Sequence, residues 1–327
     1  MKPMRYIDAI LQGLQEEMAR DSSVHIFGED VSLGGPFGAT KGLSDEFGAE
    51  RVRNTPISES AVLGLAVGAA LVGLRPVVEV MFFDFITLAM DQLVNHAAKL
   101  HYMSNGQLRV PLTVRVQGGV RGGYGAHHSQ SLEAWLMHVP GLKVVMPATI
   151  ADAKDLLQDA IRDDGPVLCI EHRGLYWSRG EDESTNARLS MSQAAIRRHG
   201  ETVSIVSMSR MVKDALEAAK VLQHEGIDVE VIDVRTLVPL DIDTIVNSVK
   251  RTRRLVVAHE AVISGGAGAE IAALVQESAY GYLDAPIVRV AAPFSPVPTS
   301  PVLEKGFAPS VDHVVDAVRD VVRFSSS

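Results

Sequence analysis

Two carboxylates and one histidine pair carry the chemistry that this sequence of 327 residues offers. Glu59 lies in Arg53-Asn54-Thr55-Pro56-Ile57-Ser58-Glu59-Ser60, just before a long apolar run. Pro56 holds its own φ near the helical value and pushes Thr55 toward an extended conformation, so a strand should end here and a new element begin. Ser58 then reads as an N-cap with Glu59 in the first turn. From Ala61 to Leu74 no side chain is charged or strongly polar, and small residues recur at Ala61, Gly64, Gly68, Ala69 and Gly73. A helix apolar all round is expected to be buried on every side. Desolvation at the mouth of such a helix favours the protonated form of a carboxyl, which can then exchange a proton with a ring nitrogen. The position also suits an ordinary first-turn acid complementing the helix dipole, and the segment alone favours that reading.

Glu29 is the second acid. Val24-His25-Ile26-Phe27 reads as a short buried strand that delivers Gly28-Glu29-Asp30 at its carboxyl end, where ligands bind in open α/β sheets. A solvated turn residue would look the same. The histidines are His127 and His128, which follow the glycine-rich stretch Gln117 to Gly125. So many glycines permit close backbone approach to a ligand or partner. Adjacent histidines point different ways, so at most one of the two is expected to face the site. No cysteine or carboxylate stands nearby at zinc-like spacing, which favours a proton donor and acceptor over a metal ligand. His96 and His101, five apart, read as ordinary helix residues.

The elements that must position these residues alternate along the chain. Ile7, Ile10, Leu11, Leu14 and Met18 mark an amphipathic first helix. Strands are expected at Val77 to Phe82, Leu112 to Val116, Leu142 to Met146 and Val167 to Glu171. Helices are expected from Phe83 to Met103, from Ala126 through Met137, and from Ile150 to Arg162 with Thr149 as cap. Polar sequence from Arg173 to Asn186 reads as a linker. A second α/β run follows, with strands at Val203 to Ser207, Val229 to Asp233, Leu255 to Ala258 and Ile287 to Val290, a helix from Met211 to Glu225, and a tail helix from Val311 to Phe324. Gly265-Gly266-Ala267-Gly268-Ala269 lacks the third glycine of a dinucleotide loop, so a closely packed helix start is the better reading.

Composition narrows the class. Hydrophobic residues at 46% and charged residues at 22% describe a globular protein, and this length suggests about two domains. A net charge of −9 without a basic run argues against nucleic acid or an anionic membrane as the main partner. The longest uncharged run, Ala61 to Leu74, is short for a membrane span. A single cysteine, Cys169, fits a reducing compartment, and the first helix does not read as a targeting segment, so a cytoplasmic protein is expected.

Seven segments resemble one family over nearly the whole chain, in order and spacing. They are Gly28-Glu29-Asp30-Val31, Thr55-Pro56-Ile57-Ser58-Glu59, Phe82-Phe83-Asp84-Phe85, His128-Ser129-Gln130, Pro140-Gly141-Leu142-Lys143-Val144-Val145, Ala160-Ile161-Arg162-Asp163 and Asp233-Val234-Arg235-Thr236. The family is the β subunit of the thiamine diphosphate-dependent 2-oxo acid dehydrogenases, of pyruvate, branched-chain or acetoin type. The resemblance implies two three-layer α/β domains of transketolase-like fold: a pyrimidine-binding domain over 1–185 and a transketolase-type C-terminal domain over 186–327.

It also implies roles. Glu59 matches the carboxyl that sets the tautomer of the aminopyrimidine, Phe85 the aromatic that packs on it, and Ile57 and Glu29 its surroundings. His128 matches the histidine facing the reaction centre, and His127 is expected to face solvent. No Gly-Asp-Gly occurs in the sequence. The magnesium and diphosphate half of the site is therefore expected from an α subunit in an α2β2 heterotetramer, with a lipoylated acyltransferase as acyl acceptor. Family members hold potassium by main-chain oxygens, at positions matching Leu112, Ala160, Ile161, Asp163 and Gly165. Two departures bear on the substrate and acyltransferase partner: Tyr176 to Gln193 lacks the family's proline-containing pattern, and Leu88 replaces a frequent polar residue. The alternative function is a split transketolase-like or acyloin-forming enzyme that works without lipoamide. A third, a non-catalytic binding subunit, is opposed by the presence of both Glu59 and His128.

Overall fold

Short β-branched runs alternating with amphipathic segments become two parallel sheets with flanking helices. The computed structural model describes residues 3–120, 122–180 and 188–324. The chain divides into one unit of Met1–Gly118 with Trp135–Met191 and a second of Gly119–Ala134 with Ser192–Ser327. The boundary expected between 185 and 186 lies outside the described residues.

The first unit contains β1 (Val24–Gly28), β2 (Val52–Asn54), β3 (Arg75–Val80), β4 (Thr113–Gly118), β5 (Lys143–Val145) and β6 (Val167–His172). All six run parallel, in the spatial order β5-β6-β4-β3-β1-β2. Strands buried on both faces explain runs such as Val77-Val78 and Val167-Leu168. The chain leaves β1 for β2 on one side and then returns to the other side for β3. Such a reversal opens a crevice beyond the carboxyl ends of β1 and β3, the place where ligands bind in open α/β sheets.

Helices α1 (Tyr6–Arg20), α2 (Glu59–Leu71) and α3 (Ile150–Arg162) belong to this unit. In α1, Ile7, Ile10, Leu14 and Met18 are buried at the expected spacing. The cap of α3 also stands where expected: Thr149 Oγ1 accepts from the Asp152 amide at 3.1 Å. Three expectations need correction. Ser58 occupies the cap position of α2, but its side chain makes no capping hydrogen bond. That helix buries Leu63, Ala66, Val67 and Ala70 and leaves Leu65 and Val72 exposed, at 56% and 81%. Uniform apolarity does not say how many sides of a helix find a neighbour within one chain. The segment from Phe83 to Met103 is a 3-10 stretch, Phe83–Ala89, then a π-helical stretch, Asp91–Ala97, then one α turn, Leu100–Met103. Phe83, Ile86 and Ala89, spaced by three, are all buried, which suits the three-residue period, whereas Leu88 is exposed.

A buried ionic cluster crosses the sheet. The Arg115 guanidinium donates to both oxygens of Glu171, at 2.7 and 2.9 Å, and to Glu79. The Tyr176 hydroxyl donates to Glu171 as well. Burial pushes the Glu79 carboxyl above its ordinary range, against the pull of Arg115.

The second unit has β7 (Ala195–Arg198), β8 (Val203–Ser207), β9 (Val229–Asp233), β10 (Leu255–Val262) and β11 (Val288–Ala292), ordered β11-β10-β8-β9-β7. Four are parallel, and β7 closes the edge antiparallel to β9. Ala195-Ile196-Arg197-Arg198 gives a weak strand signal, and Arg197 is held by Asp233 at 2.9 Å. Helices α4 (Met211–Gln223), α5 (Ile242–Thr252), α6 (Ala267–Ala279), α7 (Pro301–Phe307) and α8 (Val311–Arg323) complete the unit. The glycines that open α6 pack closely on a neighbour: a Cβ at Gly266 or Gly268 would stand 2.6 Å from the His259 ring. The helix expected from Ala126 is confined to Glu133–Met137, and the chain from 122 to 132 contains no helix.

Arg115→Leu should lower stability by roughly 3–5 kcal/mol, because Glu79 and Glu171 would keep buried charge without a partner. Urea unfolding followed by circular dichroism would measure this; a change under 1 kcal/mol would contradict the cluster's place in the core.

Candidate functional site

The crevice at the ends of β1 and β3 is built from local necessities. Gly28 ends β1 with no room for a side chain, since a Cβ would lie 2.7 Å from the Glu79 carbonyl. Glu29 follows it, half-buried at the rim. The Thr55 amide donates to the Gly28 carbonyl at 3.0 Å, which draws the segment from Thr55 to Glu59 alongside. Glu59, in the first turn of α2, is 9% exposed and lines one small cavity with Glu29, Thr55, Ser58 and Glu79. Burial first, and then the charge of Glu59, push the Glu29 carboxyl above its ordinary range. Glu29 therefore feels the charge of Glu59. Thr55 Oγ1 is buried there without a hydrogen-bond partner.

Aromatic rings cluster in the segment just after β3. Phe85 meets Phe82 edge-on at 5.6 Å, and Phe82 meets Phe37 at 6.4 Å. The Arg173 guanidinium lies over Phe82 at 5.2 Å. Ile57 is 80% exposed beside this crevice in sequence. An acid shielded from water and an unpaired hydroxyl in one small cavity offer hydrogen bonds suited to a nitrogen-bearing ring.

His128 belongs to the second unit, where it is half-buried, and His127 is exposed. The glycine loop before them is pinned by carboxylates. Glu260 accepts from the Val120 amide at 2.9 Å, while Glu304 accepts from Gly122 and Gly123 at 3.2 and 3.1 Å. A cavity of about 320 Å³ in this unit is lined by Val120, Ser129, Gln130, Glu260, Phe294 and Phe307. Glu133 is 2% exposed, and its carboxyl is pushed up to about 7 by burial, with the charge of Glu260 adding to the rise. The sequence reading singled out neither Glu133, Glu260 nor Thr55. Both Glu260 and Glu133 carried a signal, because Glu260 interrupts the apolar strand β10 and Glu133 stands between Leu132 and the apolar run Ala134-Trp135-Leu136-Met137.

The five positions matched to potassium lie at the other end of the first sheet, where β4 and β6 begin, away from Glu59. Among the described residues no group of three His, Cys, Asp or Glu is placed to hold a metal ion, and no helix is long and apolar enough to cross a membrane.

Fold and crevice together define a two-domain α/β protein of the transketolase class. The family description "Transketolase, pyrimidine binding domain" matches residues 2–178, and "Transketolase, C-terminal domain" matches residues 192–314. The chain is 47% identical over 319 residues to the pyruvate dehydrogenase E1 component subunit beta of Rickettsia felis, covering 97% of this chain and 98% of that one. It is 42% identical over 329 residues to the 2-oxoisovalerate dehydrogenase subunit beta of Bacillus subtilis, covering 99% and 100%. A solved structure described as split gene transketolase, inactive beta4 tetramer, superposes with a TM-score of 0.80 at 23% identity over 98% of each chain, a likeness of fold. The chain belongs to the family of β subunits of the thiamine diphosphate-dependent 2-oxo acid dehydrogenases.

Two titrations follow from this geometry. Glu59→Gln removes the charge that raises Glu29, so the Glu29 pKa should fall in that variant; carboxyl-carbon NMR would record it, and an unchanged Glu29 would mean the two acids are not coupled. For Glu133 the folded chain binds its proton more tightly than the unfolded chain between the ordinary value of 4.5 and about 7. The stabilisation this gives is complete below the unfolded value and is lost as pH rises through that window, by about 3 kcal/mol in all. Glu133→Gln should flatten this part of the stability-pH curve, and an identical slope in the variant would contradict the assignment.

Proposed function

We propose that this chain is the catalytic β subunit of a 2-oxo acid or acetoin dehydrogenase, acting with an α subunit and passing an acyl group to lipoamide. The observation that carries the reading is Glu59, buried in the first turn of an apolar helix beside Glu29 at the crevice between β1 and β3. Bound thiamine diphosphate supplies an electron sink for cleavage next to a carbonyl.

The chain's own residues hold and orient it. Glu59 would hold the pyrimidine ring nitrogen by a hydrogen bond, shielded from water, which would let the ring's exocyclic amine act as a base. Glu29, raised by burial and by Glu59, stays ready to take up or return a proton at the rim. Phe85 would pack on the ring and Ile57 would border it, as the family resemblance implies. The unpartnered Thr55 hydroxyl is a further hydrogen-bonding group on that wall. His128 is assigned to the substrate side, where an imidazole can donate or accept a proton during cleavage and acyl transfer.

The α subunit is assigned the magnesium and diphosphate half. The absence of Gly-Asp-Gly from the sequence supports that division. So does the apolar surface of Leu65, Val72 and Leu88, which is exposed in this chain and suits burial in an α2β2 assembly. The names of the relatives, one acting on pyruvate and one on 2-oxoisovalerate, support the substrate class of small 2-oxo acids.

The test is co-expression with candidate α subunits, followed by assays across 2-oxo acids and acetoin with a lipoyl domain or an artificial electron acceptor. Glu59→Gln should assemble and lose roughly a hundred- to ten-thousand-fold in rate, the usual worth of a positioned acid-base group. Near-normal turnover in that variant would reduce Glu59 to a helix-start acid. Turnover with the artificial acceptor but none with any lipoyl domain would favour an enzyme that works without lipoamide.

A further inference from the structure

The loop Asp163-Asp164-Gly165, which joins α3 to β6, is held by cations that the chain itself supplies. Arg75, at the start of β3, donates from Nη1 to the carbonyl oxygens of Ile161 at 3.1 Å and Asp163 at 2.9 Å, and from Nη2 to the Asp164 carboxylate at 2.7 Å. Arg109 also pairs with Asp164, and Lys143 with Asp163. The other Asp163 oxygen accepts from the Gly165 amide at 2.8 Å. Nearby carbonyls are engaged too: Leu112 accepts from the Val167 amide at 2.9 Å, and Ala160 from the Asp163 amide at 3.3 Å.

These carbonyls belong to the set that the family resemblance assigns to potassium, and the donor set does not fit the ion. Four of its oxygens, those of Leu112, Ala160, Ile161 and Asp163, already accept hydrogen bonds, two of them from a guanidinium. Three cationic side chains converge on this loop, where Asp163 and Asp164 are already paired. A further cation would be repelled by all three, and it would compete with five N–H donors in a fixed planar fork. We infer that Arg75 is the resident cation of this loop, doing structurally what a monovalent ion would do there, so that folding of this chain is independent of potassium.

The role is confined to structure. Arg75 lies at the amino end of β3, and Glu59 and Glu29 lie beyond the carboxyl ends of the same sheet. Arg75 links the end of α3 and the loop after it to the start of β3, and its Nε stands 3.9 Å from Asp21, just after α1.

The purified full-length chain would be melted in potassium, sodium and N-methylglucamine chlorides at matched ionic strength. The Tm should be the same in all three. Arg75→Met should melt several degrees lower, and part of that loss should return in potassium alone, because the freed carbonyls can then bind the ion. A saturable, potassium-specific rise in the Tm of the unsubstituted chain would overturn the inference, and so would an Arg75→Met variant as stable as the original. If Arg75→Met fails to fold, crystals of the unsubstituted chain soaked in thallium acetate give an independent answer. Anomalous density among the carbonyls of Leu112, Ala160, Ile161 and Asp163 would refute it, and an empty loop with Arg75 in place would support it.

Discussion

Two carboxylates held in one desolvated crevice are the constraint around which the first unit is arranged. A negative charge placed beside another in a poorly hydrated space is costly, and the cost falls when one of them keeps a proton. Glu29 and Glu59 reach this arrangement through local features: a glycine at the end of β1 that leaves no room for a side chain, a proline that ends one element and starts the next, and an apolar helix behind the acid. The strand order puts the opening between β1 and β3, so the acids meet where a parallel sheet has its natural cleft.

The first unit is polarised from one end of its sheet to the other. Acids gather at the carboxyl ends of the strands, with Glu79 joining Glu29 and Glu59 around a single cavity. Arg115 compensates Glu79 from within the sheet, where it also holds Glu171. At the amino ends the balance is reversed, with Arg75, Arg109 and Lys143 surrounding Asp163 and Asp164. An end where acids share one cavity and an end where cations fasten a loop set the two ends of the sheet apart. The second unit repeats the pattern of buried acids on a smaller scale, where Glu260 and Glu304 hold the amides of the glycine loop that leads to His128.

The sequence by itself determined the alternation of strands and helices, the face of α1 that is buried, the cap of α3 and the family, because each of these is written in local periodicity or in contiguous motifs. Gly28-Glu29-Asp30, Thr55 to Glu59 and His128-Ser129-Gln130 were legible for the same reason: the chemistry of each is carried within a few residues. Only the tertiary structure decided which side of α2 is covered, since its apolar residues look alike in sequence while Leu63 is buried and Leu65 is exposed. It also decided that the stretch from Phe83 breaks into tighter and wider turns, where packing overrides helical propensity. The clamp by Arg75 joins residues 86 and 88 positions apart, and the rise in Glu133 comes from burial and from Glu260 on a distant strand. Charge pairing and desolvation depend on which segments meet in space, and no local pattern of residues records that meeting.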